Sequence, residues 1–138
     1  VVDIKSIIVL GLIAGFISGI VDFIFSVIDL FGIFFPIVLT VDLQMLAIYI
    51  ILMASLWGIS WALLYAFFYD YIPGKGVKRG LIYGLIIWII APTSNWVISV
   101  VRGDYLWAIQ TAIVSFFSVG IVYGVILGYV YKEQQPNI

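Results

Sequence analysis

Asp22 is the residue best placed to do chemistry in this chain. It interrupts a strongly apolar run, and Ser18, Ser26 and Asp29 follow the same stripe at intervals of three and four residues, the spacing that returns to one face of a helix. A carboxylate near the centre of a lipid-embedded helix costs about 2.5 to 3.5 kcal/mol, and less toward the interface, so a neighbour must offset it. Thr93, Ser94 and Asn95 on a third apolar segment, Gln44 on a second, and Gln110 and Thr111 on a fourth are expected at comparable depth. The outer half of the molecule is therefore expected to gather a polar cluster of Asp22, Asp29, Asn95, Arg102, Gln110 and Thr111, while the inner half is almost wholly apolar. Three uses stay open for it: a site for a cation, a proton or a small polar ligand; a set of hydrogen bonds or an Arg102 pairing that only fixes helix register; or a salt bridge to another subunit.

Residue types remove most enzymatic alternatives. The chain has no Cys and no His, which excludes thiolate nucleophiles, Ser-His-Asp triads, the usual haem ligands and nearly all zinc sites. Asp22 and Asp29 stand about 10 Å apart along a helix, beyond the spacing of a glycosidase pair. The segment Gly74, Lys75, Gly76 lacks the spacing of a phosphate-binding loop and reads as a turn. No catalytic role, cofactor or metal is expected. A net charge of −1 without a long basic run leaves no footprint for nucleic acid.

The elements that position these residues follow from apolarity. Hydrophobic residues make up 65% and charged residues 9% of the 138, with a mean hydropathy of +1.28, whereas soluble domains carry about a quarter charged residues. A membrane span needs about 20 apolar residues, and four such stretches are present, at about 7–28, 43–69, 77–100 and 105–131. The expected fold is an all-α, polytopic bundle of four transmembrane helices in a single integral membrane domain. The first stretch is longer than the core of a signal peptide and is read as a retained span. Gly32 and Pro36 interrupt an apolar segment over 30–40 that is too short to cross alone and is expected to lie at the interface. Its aromatic run from Phe31 to Phe35 suits an interfacial anchor or a subunit contact. Thr40 and Asp42 are expected N-caps for the second span, Pro73, Gly74 and Gly76 end it, and Pro92 predicts a kink in the third.

Small residues recur one or two helical turns apart in every span: Gly11, Gly15 and Gly19; Ala54, Gly58, Ala62 and Ala66; Gly80, Gly84 and Ala91; Gly120, Gly124 and Gly128. Because lipid supplies no hydrophobic drive between helices, such stripes mark the faces where membrane helices approach closely. Four of them predict a tight bundle with little room for a wide pore. Aligning Gly11 on Gly80, Gly15 on Gly84 and Gly58 on Gly120 relates the two halves as tandem hairpins, although apolar sequence also yields such matches by chance.

Lys5, Lys75, Lys78, Arg79 and Lys132 fall on one side of four spans and Arg102 alone on the other, which places both termini in the cytoplasm of a cell-membrane protein. Tyr65, Tyr69, Tyr71, Tyr129 and Tyr131 are expected at the inner interface, and Trp96, Tyr105 and Trp107 toward the outer one. Lys75, Lys78 and Arg79 are expected to meet anionic headgroups. The function expected of such a chain is that of a non-catalytic accessory or structural subunit of a larger membrane complex. A small oligomeric transporter or channel using Asp22 and Asn95 is the alternative. Partners are then membrane lipids and other membrane subunits or a second copy of the chain.

Overall fold

Glycine decides which helices touch. In the computed structural model, residues 3–27, 42–91 and 93–133 are described. Asp29, Thr40 and the expected interfacial segment over 30–40 lie outside them. The described residues are helical apart from turns, with no strand among them. Helix α1 spans Ile4–Val27, α2 Leu43–Phe68, α3 Val77–Ile90, α4 Thr93–Val101 and α5 Tyr105–Ser115. From α5 the chain continues through a π-helical segment, Phe116–Tyr123, into α6, Gly124–Glu133.

Among the described residues, three helices are long and apolar enough to cross a membrane: 22 residues over Ile4–Phe25, 29 over Leu43–Tyr71 and 27 over Tyr105–Tyr131. The expected continuous span at 77–100 is instead two helices, α3 of 14 residues and α4 of 9. Proline lacks the N–H that an α-helix needs at each interior position and its ring is crowded by the carbonyl four residues back, so a proline at 92 is expected to interrupt the helix there.

The turns follow from local chemistry. Asp42 fulfils its expected role at the start of α2, its Oδ1 accepting the Gln44 N–H at 2.9 Å. After α2, a 3-10 turn at Tyr69–Tyr71 leads to Pro73, and Gly74 and Gly76 take φ of 102° and 53°, which side chains resist. Helix α4 closes with Gly103 at φ 79°. There the Asp104 N–H donates to Ser99 O at 2.9 Å and the Gly103 N–H to Val100 O at 3.0 Å, a Schellman pattern that turns the chain into α5.

Helices α1 and α2 run antiparallel, with Gly11 against Gly58 and Ala62, Gly15 against Ala54 and Gly58, and Gly19 against Ile51 and Ala54. The other half repeats the device: Gly80 of α3 lies on Gly124 and Gly128, and Gly84 on Gly120 and Gly124. A Cβ placed on Gly11 would stand 2.7 Å from Gly58 O and Ile59 Cα, and one on Gly128 2.6 Å from Gly76 O. The contacts are therefore backbone to backbone. They relate Gly58 to Gly124 rather than to Gly120, because Gly15 meets Gly58 as Gly84 meets Gly124; the register differs by one turn from the sequence alignment. The two pairs join where α1 packs on the π segment, with the Phe25 and Phe117 rings stacked at 5.4 Å.

Gly120 differs from its neighbours. A methyl there would meet Phe116 Cδ2 and Trp88 Cβ at an ordinary 3.6 Å. Gly58→Ala and Gly80→Ala are expected to lower stability by about 1 to 3 kcal/mol through overpacking against backbone. Gly120→Ala is expected to be neutral, or stabilising by up to about 1 kcal/mol through helix propensity. Thermal unfolding of the three variants in detergent checks the contrast.

Candidate functional site

Helix α1 presents Ser18 and Asp22 to the π segment one turn apart. The Ser18 hydroxyl donates to Ser118 O at 2.8 Å, and the Ser118 hydroxyl donates to Asp22 Oδ1 at 3.3 Å. A π turn widens the helix and shifts its carbonyls out of the usual ladder, so it offers acceptors to neighbouring elements. Trp88 reaches α5 just before that segment, its Nε1 donating to Ala112 O at 3.0 Å. Asp22 is half-buried, and its hydrogen bond comes from a serine hydroxyl rather than from the Arg102 guanidinium.

The remaining expected members of the cluster are spread out. Gln110 is 1% exposed, and neither its Oε1 nor its Nε2 has a hydrogen-bond partner. It lies two turns, about 12 Å, along the helix from Ser118. Thr111 is half-buried, and its carbonyl accepts the Ser115 hydroxyl at 2.7 Å. Arg102 is exposed in the turn after α4, and Gln44 is exposed in the first turn of α2. Asn95 belongs to α4; its side chain and that of Ser26, like Asp29, lie outside the described residues. The structure thus brings Asp22 together with Ser18 and Ser118 and leaves Gln110 as a separate buried polar group. No group of three or more His, Cys, Asp or Glu that could hold a metal occurs among the described residues.

The other end of the bundle corrects the expectation that the inner half is almost wholly apolar. Tyr65, 0% exposed, is ringed by Tyr69, Tyr83 and Tyr131 at centroid distances of 5.5, 4.9 and 5.3 Å. The Tyr83 hydroxyl donates to Trp61 O at 2.7 Å and the Tyr123 hydroxyl to Gly58 O at 2.6 Å, so both reach from the second helical pair into α2. Tyr65 Oη is buried without a partner. Arg79 covers the cluster, its Cζ 4.0 Å from the Tyr69 ring centroid and its Nε donating to Gly74 O at 2.9 Å. That guanidinium is committed to the protein, while Lys75 and Lys78 remain exposed.

Tyr83, Tyr123 and Ser118 carry these contacts and were not singled out by sequence reasoning. A signal for the first two exists: each precedes a ladder glycine, in Tyr83-Gly84 and Tyr123-Gly124. A residue next to a close-packed glycine lies at the edge of the packed face, where a phenol is buried and must find an acceptor. Comparison with protein-family models, curated proteins and solved structures finds no match.

The phenols differ in whether they are satisfied, and that difference is measurable. Tyr83→Phe and Tyr123→Phe each remove an interhelical hydrogen bond and are expected to cost about 0.5 to 1.5 kcal/mol. Tyr65→Phe removes a buried, unpartnered hydroxyl and is expected to be neutral or to stabilise by about 1 kcal/mol. Equilibrium unfolding of the three variants in one detergent gives the comparison.

Proposed function

We propose that the chain is a non-catalytic integral membrane protein that crosses the bilayer four times and serves as an accessory or structural subunit of a larger membrane assembly. In this reading α3 and α4 together make the third crossing. Their 14 and 9 residues rise about 34 Å in all, against a hydrocarbon thickness of about 30 Å. Lys5, Lys75, Lys78, Arg79 and Lys132 then lie on the cytoplasmic side, with both termini.

The observation that carries the subunit reading is where the buried polar groups are spent. Ser18, Tyr83, Trp88 and Tyr123 donate across to carbonyls of other helices, at Ser118, Trp61, Ala112 and Gly58. Hydrogen bonds of this kind set helix register and orientation. Groups used in this way are not free to bind substrate. Outside the bundle, α2 exposes Met45, Ile48, Tyr49, Leu52, Leu56 and Trp57 along one side, a face suited to lipid or to another membrane helix. After extraction in mild detergent, native mass spectrometry is expected to find the chain in fixed stoichiometry with other chains. A chain recovered alone or only as a homo-oligomer would overturn the subunit role.

One observation favours the transporter reading as an alternative: Gln110 is buried with its amide unpartnered, and Asp22 is only half-buried. The two readings separate on Gln110→Leu. If the amide is merely trapped in the packing, the leucine is expected to leave assembly intact and to raise stability by about 1 to 2 kcal/mol. If it lines a path, Gln110→Leu and Asp22→Asn are both expected to abolish flux in liposomes containing the purified chain.

A further inference from the structure

A cleft of about 300 Å³ lies between the first half of α1 and the end of α6, open along one side. That volume is at the lower end of the range for small-molecule sites, ~300 to 1,000 Å³. Val9 and Ile13 form one wall and Ile126 and Val130 the other, with Leu10, 3% exposed, as the floor. Lys5 and Ser6 close one end. From Lys5 to Ile13 the cleft follows α1 for about 12 Å, with the polar residues at the helix start and only apolar ones deeper.

We propose that this cleft holds one acyl chain of an anionic glycerophospholipid, with the headgroup phosphate against the Lys5 ammonium and the Ser6 hydroxyl. The order of chemistry along the cleft, cation and hydroxyl at the mouth and aliphatic side chains below, is that of a phospholipid entering from its own leaflet. A partner helix is about 10 Å across and does not fit the space. Charge complementarity selects an anionic lipid. Lys5 is exposed, and nothing among the described residues pairs with it. Arg79, the cation on the neighbouring rings, is held by Tyr69 and Gly74 O. Tyr131, one residue beyond the cleft wall at Val130, packs against Tyr69 with ring centroids 4.6 Å apart, so the mouth opens beside the basic end of the bundle. Basic pockets between membrane helices bind anionic headgroups in this manner. The inference rests on the membrane placement and is independent of the subunit role.

The test uses the purified full chain, delipidated in detergent and titrated with phosphatidylglycerol or phosphatidylcholine, with retained lipid counted by native mass spectrometry. One phosphatidylglycerol per chain is expected to persist under activation that strips phosphatidylcholine. Lys5→Gln is expected to weaken that retention about five-fold, the loss of one cation at an anionic headgroup. Val9→Phe with Val130→Phe, which fills the cleft, is expected to abolish it, while Lys78→Gln leaves it unchanged. Equal retention of the two lipids, or equal losses for Lys5→Gln and Lys78→Gln, overturns the proposal. A chain that retains neither lipid and stays soluble after detergent removal overturns the membrane placement beneath it.

Discussion

The structure depends on the absence of side chains along two seams. Where Gly11 and Gly15 meet Gly58, and where Gly80 and Gly84 meet Gly124, the distance between helices is set by backbone atoms. Dispersion falls steeply with separation, so bringing two backbones together adds many contacts that a methyl at the seam would hold apart. In lipid this matters more than in water, because the surrounding chains are as apolar as the side chains and burial alone gives helices little reason to associate. The same closeness is unforgiving. A leucine core can repack around an added methylene, whereas a carbonyl in a helix ladder has nowhere to go.

Close seams also dictate how the polar groups are used. With the helices this near, a serine or tyrosine on one helix reaches the carbonyls of the next, and Ser18, Tyr83 and Tyr123 do so. Each carbonyl has two lone pairs and keeps its place in its own helix while accepting a second donor. These bonds therefore add orientation without unravelling a neighbour. Tyr83 and Tyr123 bond α2 at Trp61 and Gly58, residues three apart on one face. The second helical pair is in this way keyed onto the first at a fixed rotation and height. The glycine seams hold each pair together, and the phenols join the packing of α1 on the π segment in holding the pairs to each other.

Much of this was legible in the residues. Apolar runs of spanning length appear as α1, α2 and the α5–α6 rod, the break at Pro73 to Gly76 falls where its composition puts it, and Asp42 caps α2. The glycine ladders were visible as faces, but not which ladder met which or in what register. Both depend on interhelical geometry, and a four-residue repeat matches itself equally well one turn away. The proline at 92 was expected to interrupt the third apolar stretch, and the described helices end at Ile90 and resume at Thr93. The π segment had no sequence signal at all. Of the tyrosines expected at the inner interface by residue type, Tyr65 and Tyr131 are core residues whose rings pack on each other; amphipathic rings serve in either place.

The break after α3 and the π segment both fall in the second pair, and they face each other. Trp88, in the last turn of α3 before the break, sets its ring edge-on to Phe116, the first residue of the π segment, at 5.3 Å, and gives its indole N–H to Ala112 O. A tryptophan has a donor and no acceptor, and Trp88 finds its acceptor in α5, one turn before the π segment begins. Gly84 is the last glycine of α3, and Gly120 is its partner at that end of the seam. Among the described residues no glycine seam continues beyond them, where α4 packs on α5. Gln110 and the exposed Arg102 lie in that region, and Asp22 lies at its border beside Ser118. A partner or ligand engaging this end can shift side chains without prying apart backbone contacts, whereas the glycine-seamed end, capped by the tyrosine cluster and Arg79, offers no such freedom.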